Sequence, residues 1–190
     1  MYKLCKTEQS ARRQRQLELG LLAAMGSRRY EEITVSDLCE QLNIPRKSFY
    51  RYFSGKDGAL HALIDHTLLE YEWFQPEKGR QPRSYQKELE RFFRFWLERK
   101  PLLEALDHSD ICGTLVMRSI QHALSDAGVL EQYLNQKDRQ IRHHATMFWV
   151  CGLMSMVLSW YKNGFDLSVQ QLGEIAAELV TQPLCSMVEG

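Results

Sequence analysis

Apolar positions recur at three- and four-residue intervals along most of the chain, and no run alternates with the two-residue period of a strand. Leu17, Leu21, Ala24 and Met25 predict a helix over Arg12–Met25, weakened at its close by Gly26 and Ser27. In ITVSDLCEQL, Thr34 stands as an N-cap with Asp37 three residues on, an acidic variant of the capping box, and Leu38 and Leu42 lie one turn apart on a buried face. Asn43 fits the left-handed residue that ends such a helix. Pro45 then opens another, because its missing N–H would have been unpaired there anyway. The pattern over residues 34–53 is a helix-turn-helix with a three-residue turn.

Downstream the pattern stays helical. A fourth helix continues over Gly58–Phe74, and QPEKGRQPRS, with two prolines and a glycine, reads as a loop. Tyr85–Lys100 carries an apolar stripe of Leu89, Phe92, Phe93, Trp96 and Leu97. Pro101 restarts the chain, and further helices are expected over Gly113–Ala127, Lys137–Asn163 and Ser168–Met187. The expectation is an all-α protein of about nine helices, divided into an amino-terminal three-helix domain at 1–56 and a helical domain at 57–190. Ala145–Tyr161 carries no charge, but it is slightly short of the roughly 20 residues of a spanning helix and basic residues crowd its start. Burial on several sides explains it better. Its partner would be the stripe of Leu172, Ile175, Ala176, Leu179 and Val180, so two helices from each of two subunits would form a four-helix bundle. The alternative is a core closed within one chain.

Charge sharpens the picture. Of 190 residues 44% are hydrophobic and 25% charged, which argues against wholesale disorder. The net charge of zero conceals a split: residues 1–56 hold eleven Lys/Arg against six Asp/Glu, a balance of +5, and the remainder carries −5. A polyanion would therefore be met by the first part. On a helix starting near Pro45, Phe49 and Phe53 pack inward against Leu38, Leu42 and Leu60, while Arg46, Lys47, Tyr50 and Arg51 project the other way. Such a face suits the DNA major groove, where Arg and Lys reach guanine O6 and N7, with hydroxyls and amines at its edges holding phosphates. A merely solvated basic face is the competing reading. The coincidence of the capped helix, the turn and the local charge favours DNA.

Residues 17–60 resemble the DNA-binding domain of the TetR family of bacterial transcriptional regulators. The likeness is carried by Ile33-Thr34-Val35, Asp37-Leu38, the Ser48-Phe49-Tyr50-Arg51-Tyr52-Phe53 core and Ser54-Gly55-Lys56-Asp57. FWVCGLMSMVLSWYKNGFDLSVQQLGEIAAELV is similar to the last two helices of one branch of that family. The resemblance implies that Thr34 and Ser36 lie near the phosphate backbone, that Arg46 and Lys47 meet bases, that Ser48, Tyr50 and Tyr52 hold phosphates or flank bases, and that Lys56 binds phosphate. Pro45, Asn43, Arg29 and Cys39 depart from the family pattern and bear on the operator sequence. The resemblance also implies a homodimer, whose two recognition helices read a pseudo-palindrome. It further implies a small-molecule effector enclosed after the fourth helix, where Phe92, Trp96, Met117 and Phe148 are the candidate lining. Aromatic and Met side chains at helical spacing serve equally as ordinary core. The protein expected is a regulator, a repressor released from its operator by an unidentified effector.

Other classes find less support. The sequence has no nucleophile elbow, P-loop, His-Glu-x-x-His or glycine-rich dinucleotide turn, and no enzyme is expected. Five cysteines, odd in number and without a Cys-x-x-Cys pair, encode neither a disulfide framework nor a zinc site, and the start lacks a signal peptide; a reducing cytoplasm is expected, with no metal or cofactor. Asp107-His108-Ser109-Asp110 reads as a polar turn capping the following helix. A helical adaptor that binds a protein partner would lack the basic and phenolic face, which is intact. A thiol-based redox sensor would rest on Cys39 and Cys151, for which small-residue packing competes.

Overall fold

A computed structural model describes residues 2, 3, 5, 7–71, 84–125 and 139–181. Among these the chain forms nine α-helices and one 3-10 turn: α1 (Glu8–Met25), the turn Tyr30–Glu32, α2 (Val35–Gln41), α3 (Arg46–Tyr52), α4 (Lys56–Glu70), α5 (Tyr85–Leu97), α6 (Lys100–His108), α7 (Cys112–Ser125), α8 (Arg139–Lys162) and α9 (Val169–Thr181). Extended pairing among the described residues is confined to a single bridge between Tyr2 and Phe53. The all-α reading holds. Helix α1 begins four residues before the expected Arg12, because the Thr7 side chain accepts from the Ser10 N–H and supplies a cap. The expected loop falls almost wholly outside the described residues, as do 72–74, 126–127, 137–138 and 182–187 of the expected helices.

The helices gather into two compact units. One holds α1–α4 together with Pro101–His122, which spans most of α6 and α7; the other holds α5, α8 and α9. Compactness thus groups α4 and two later helices with the amino-terminal segment, whereas the functional division expected from sequence falls at residue 56. In the first unit α1 packs on α4 and on α2, and α2 on α3. Leu17, Leu21 and Met25 of α1 are buried, as are Leu60, Leu63, Ile64 and Leu68 of α4. Gly20 permits the closest approach: a Cβ there would lie 2.5 Å from a methyl of Leu42. Glu18 has no exposure and binds His66 Nδ1 at 2.9 Å and Arg15 at 3.1 Å, so the carboxylate buried between α1 and α4 is paired.

In the second unit α9 lies along α5. Gly173 lets it do so, since a Cβ would stand 2.7 Å from Glu90 Cγ. Leu89, Phe92, Phe93 and Trp96 are buried as the stripe predicts, but Leu97 is exposed and Phe95 is buried in its place, against the Tyr71 ring at 4.7 Å. Helix α8 buries Leu153, Met154, Val157 and Trp160, and the Trp160 indole donates to the Leu167 carbonyl at 2.9 Å. Gly164 and Phe165, both at positive φ, turn the chain back into α9. The stripe expected on α9 divides. Leu172 and Ala176 are buried, while Ile175 and Leu179 stay exposed; Val180 lies beyond the described side chains. No helix among the described residues is long and apolar enough to cross a membrane.

Candidate nucleic-acid interface

The site is built on the cap of α2. Thr34 Oγ accepts from the Asp37 N–H at 3.1 Å and Asp37 returns the bond by accepting from the Thr34 N–H at 3.1 Å. These bonds hold the Asp37 carboxyl below its usual range, the backbone bond first, with the Thr34 hydroxyl and Arg28 assisting against desolvation. At the other end Asn43 takes a positive φ of 50°, and the Ile44 N–H reaches back to the Cys39 carbonyl at 2.8 Å. Ile44, buried, anchors the turn. Pro45 is the N-cap of α3 rather than its first helical residue, and its carbonyl accepts from the Ser48 N–H at 2.7 Å.

Helix α3 has two unlike faces. Phe49 and Phe53 are fully buried with ring centroids 5.1 Å apart. Arg46, Lys47, Tyr50 and Arg51 are exposed, and the three cations make no ion pair among the described residues. Thr34 and Ser36 are exposed at the start of α2, and Ser48 is half-buried. Tyr52 differs from its neighbours: only 7% exposed, it packs beside Phe53 at 6.3 Å between centroids. Cys39 is buried behind this surface, where burial pushes its thiol up and Arg46 opposes the shift.

Lys56 is engaged within the chain. Its Nζ donates to the carbonyls of Tyr30 and, at 3.3 Å, Glu31, and lies 4.2 Å from the centre of the Tyr30 ring. Tyr30 in turn donates its phenol to Asp57 at 2.5 Å, and burial, with the Asp57 bond second, keeps that phenol protonated. The 3-10 turn is also held from a distant segment. Ser109 Oγ accepts from the Tyr30 N–H at 2.9 Å, and Arg29 binds Asp110 at 2.9 Å. Asp107 and His108, expected in a polar turn, close α6 instead, and Ser109 and Asp110 just after it secure residues far upstream, where the sequence suggested only a cap for the next helix. The contacts of Tyr30 with Asp57 and Ser109 escaped the sequence reading because 27 and 79 residues separate the partners.

The candidate effector residues differ in exposure. Phe92 and Trp96 are each 1% exposed on α5, whereas Met117 is 55% and Phe148 77% exposed.

Residues 22–63 match the profile of the family described as bacterial regulatory proteins, tetR family. Curated protein sequences give no significant match. Among solved structures, the chain is similar to the dihydroxyacetone kinase operon activator DhaS, at 16% identity and a TM-score of 0.56 over 93% of this chain and 96% of that one. It is similar also to the fatty acid degradation regulator FadR from Bacillus halodurans, at 13% identity and a TM-score of 0.56 over 95% of this chain and 98% of that one. At such identities the likeness establishes the fold, which extends over nearly the whole chain. The capped helix-turn-helix, its cationic outer face and the profile match together identify residues 22–63 as the amino-terminal domain of the tetR family of bacterial regulatory proteins.

Proposed function

We propose that the chain acts in the cytoplasm as a homodimeric transcriptional regulator that binds a pseudo-palindromic operator and is a repressor released by a small-molecule effector. The observation that carries the DNA-binding reading is the outer face of α3, where Arg46, Lys47, Tyr50 and Arg51 stand exposed while Phe49 anchors the helix from behind. Arg46 and Lys47 read base edges; Thr34, Ser36, Ser48, Tyr50 and Arg51 hold phosphates or flank bases. Lys56 contributes positive potential from a fixed place at the start of α4, and Tyr52 orients the helix end more than it touches DNA. The division at residue 56 then separates the DNA-contacting surface from the segment that dimerises and receives the effector.

Dimerisation is supported by what α8 and α9 leave uncovered. Ile141, Phe148, Gly152, Ser155 and Ser159 share one exposed face of α8, and Ile175 and Leu179 are exposed on α9. Phe148 belongs to this subunit face, which is why a side chain 77% exposed in one chain fits a dimer contact better than an effector pocket. Effector release remains tied to the α5 aromatics Phe92 and Trp96. A thiol switch at Cys39 is disfavoured by its burial and raised thiol pKa.

Selection of genomic fragments by the purified protein tests the reading. The retained duplexes should share an inverted repeat, and binding should weaken steeply as salt rises, because the cations displace counterions from phosphates. A folded protein that retains no duplex at low salt would overturn it.

A further inference from the structure

The segment before α1 performs work that the helix-turn-helix does not account for. Tyr2 forms the antiparallel bridge with Phe53, and the Lys3 N–H donates to the Tyr52 carbonyl at 2.9 Å. Tyr52 ends α3, so its carbonyl is one of the last-turn acceptors that lack an intrahelical donor. Phe53, extended at φ −128° and ψ 143°, presents backbone suited to such pairing. Helix α3 has only seven residues, a length at which order must come from outside the helix. Its last turn carries Tyr50 and Arg51, two of the exposed side chains assigned to DNA.

The same segment reaches a half-buried ion pair. The Tyr2 phenol donates to Asp65 Oδ2 on α4 at 2.8 Å, and its ring meets His66 edge-on at 5.6 Å. Asp65, 8% exposed, is gripped by Arg118 of α7 through two bonds, Nε to Oδ1 at 2.7 Å and Nη2 to Oδ2. Three donors therefore converge on one carboxylate. Tyr2 stays a donor throughout the physiological range, its phenol pushed up to about 12 by burial and then by Asp65. Further back, the Cys5 thiol donates to Gln14 Oε1 of α1 at 2.7 Å and pins the segment's other end.

We propose that Tyr2, Lys3 and Cys5 form a strap that fixes the carboxyl end of α3 to the joint between α4 and α7, with Tyr2 as the positioning residue through which the Asp65–Arg118 pair steadies the DNA-reading face. The strap rests on the DNA-binding reading only for its consequence. Any displacement of α7 relative to α4 that disturbs Arg118 passes through Asp65 and Tyr2 to the turn bearing Tyr50 and Arg51, without involving the α2–α3 turn.

Hydrogen exchange on the free, full-length protein tests the strap independently of DNA. In Tyr2→Phe, which keeps the ring and loses the hydroxyl, amides of residues 46–56 should exchange several-fold faster while those of 17–25 are unchanged. Arg118→Lys should loosen 46–56 when Tyr2 is present and add little in the Tyr2→Phe background. Unchanged exchange in Tyr2→Phe, or an Arg118→Lys effect of equal size in both backgrounds, overturns the proposal; Tyr2→Ala, with ring and hydroxyl gone, guards against a silent conservative change and should loosen 46–56 further. On a selected operator, Tyr2→Phe should weaken specific binding several-fold and leave binding to random duplex unchanged. A wild-type protein that binds no duplex refutes the DNA-binding reading, while the exchange data still decide the strap.

Discussion

Thr34 and Asp37 exchange two hydrogen bonds across the first turn of α2, and this small reciprocal contact sets where the helix-turn-helix begins. Thr34→Ala should cost about 1 kcal/mol of unfolding free energy, measured by urea titration. The sign of the acid response follows from Asp37: its pKa is depressed in the folded protein, so its contribution is present above the unfolded carboxylate pKa and is lost as pH falls through the folded value. Asp37→Asn should therefore flatten part of the stability loss on acidification, read from thermal midpoints across that range. On α3, Lys47→Ala should shift preference at particular base pairs by roughly 1–3 kcal/mol, whereas Tyr50→Phe should weaken all operators by a similar factor. A uniform loss for Lys47→Ala in a competition assay removes it from base reading. Lys56→Ala carries a second consequence, since its Nζ holds the Tyr30 and Glu31 carbonyls: stability and DNA binding should fall together.

Between helices, close approach and long-range polar contacts do most of the positioning. Gly20 lies against Leu42, the residue that caps α2, and a methyl at Gly20 must displace it. Gly20→Ala should cost about 1–3 kcal/mol, the usual range for overpacking, and should disturb operator binding although it lies outside the interface. Ser109→Ala leaves the Tyr30 N–H buried without its acceptor, at about 1–3 kcal/mol. Thermal unfolding of both variants, compared with operator titration, separates lost stability from altered presentation of α3.

For the molecule as a whole, the proposed dimer rests on the exposed face of α8 and α9. Phe148→Glu with Leu179→Glu should shift the dimer toward monomer in sedimentation velocity and weaken binding to a two-half-site duplex far more than to a single half-site. A double variant that remains dimeric relocates the interface. Within the chain, Trp96 is too deeply buried for a mild substitution: Trp96→Ala should cost about 3–5 kcal/mol, and a variant that keeps its stability while losing effector response would identify it as pocket lining.

The all-helical class, the cap at Thr34, the left-handed Asn43 and the outward cations of α3 were legible along the chain, because each depends on neighbours within one or two helical turns. Periodicity marked a buried stripe on α5, and the uncharged run 145–161 suggested burial of α8 on several sides, but a side chain's share of burial depends on which helix covers it. Hence Leu97 and Phe95 traded places, and the α9 stripe parted into Leu172 and Ala176, buried, and Ile175 and Leu179, exposed. Contacts between distant segments were out of reach for the same reason. Asp65 and Arg118 stand 53 residues apart, and nothing in either neighbourhood signals the other; only the packing of α7 beside α4 brings their charges together. Lys56 shows the limit most clearly. Its place at a helix start suggested a phosphate ligand, and folding also sets the Tyr30 and Glu31 carbonyls within its reach, where its ammonium donates to both.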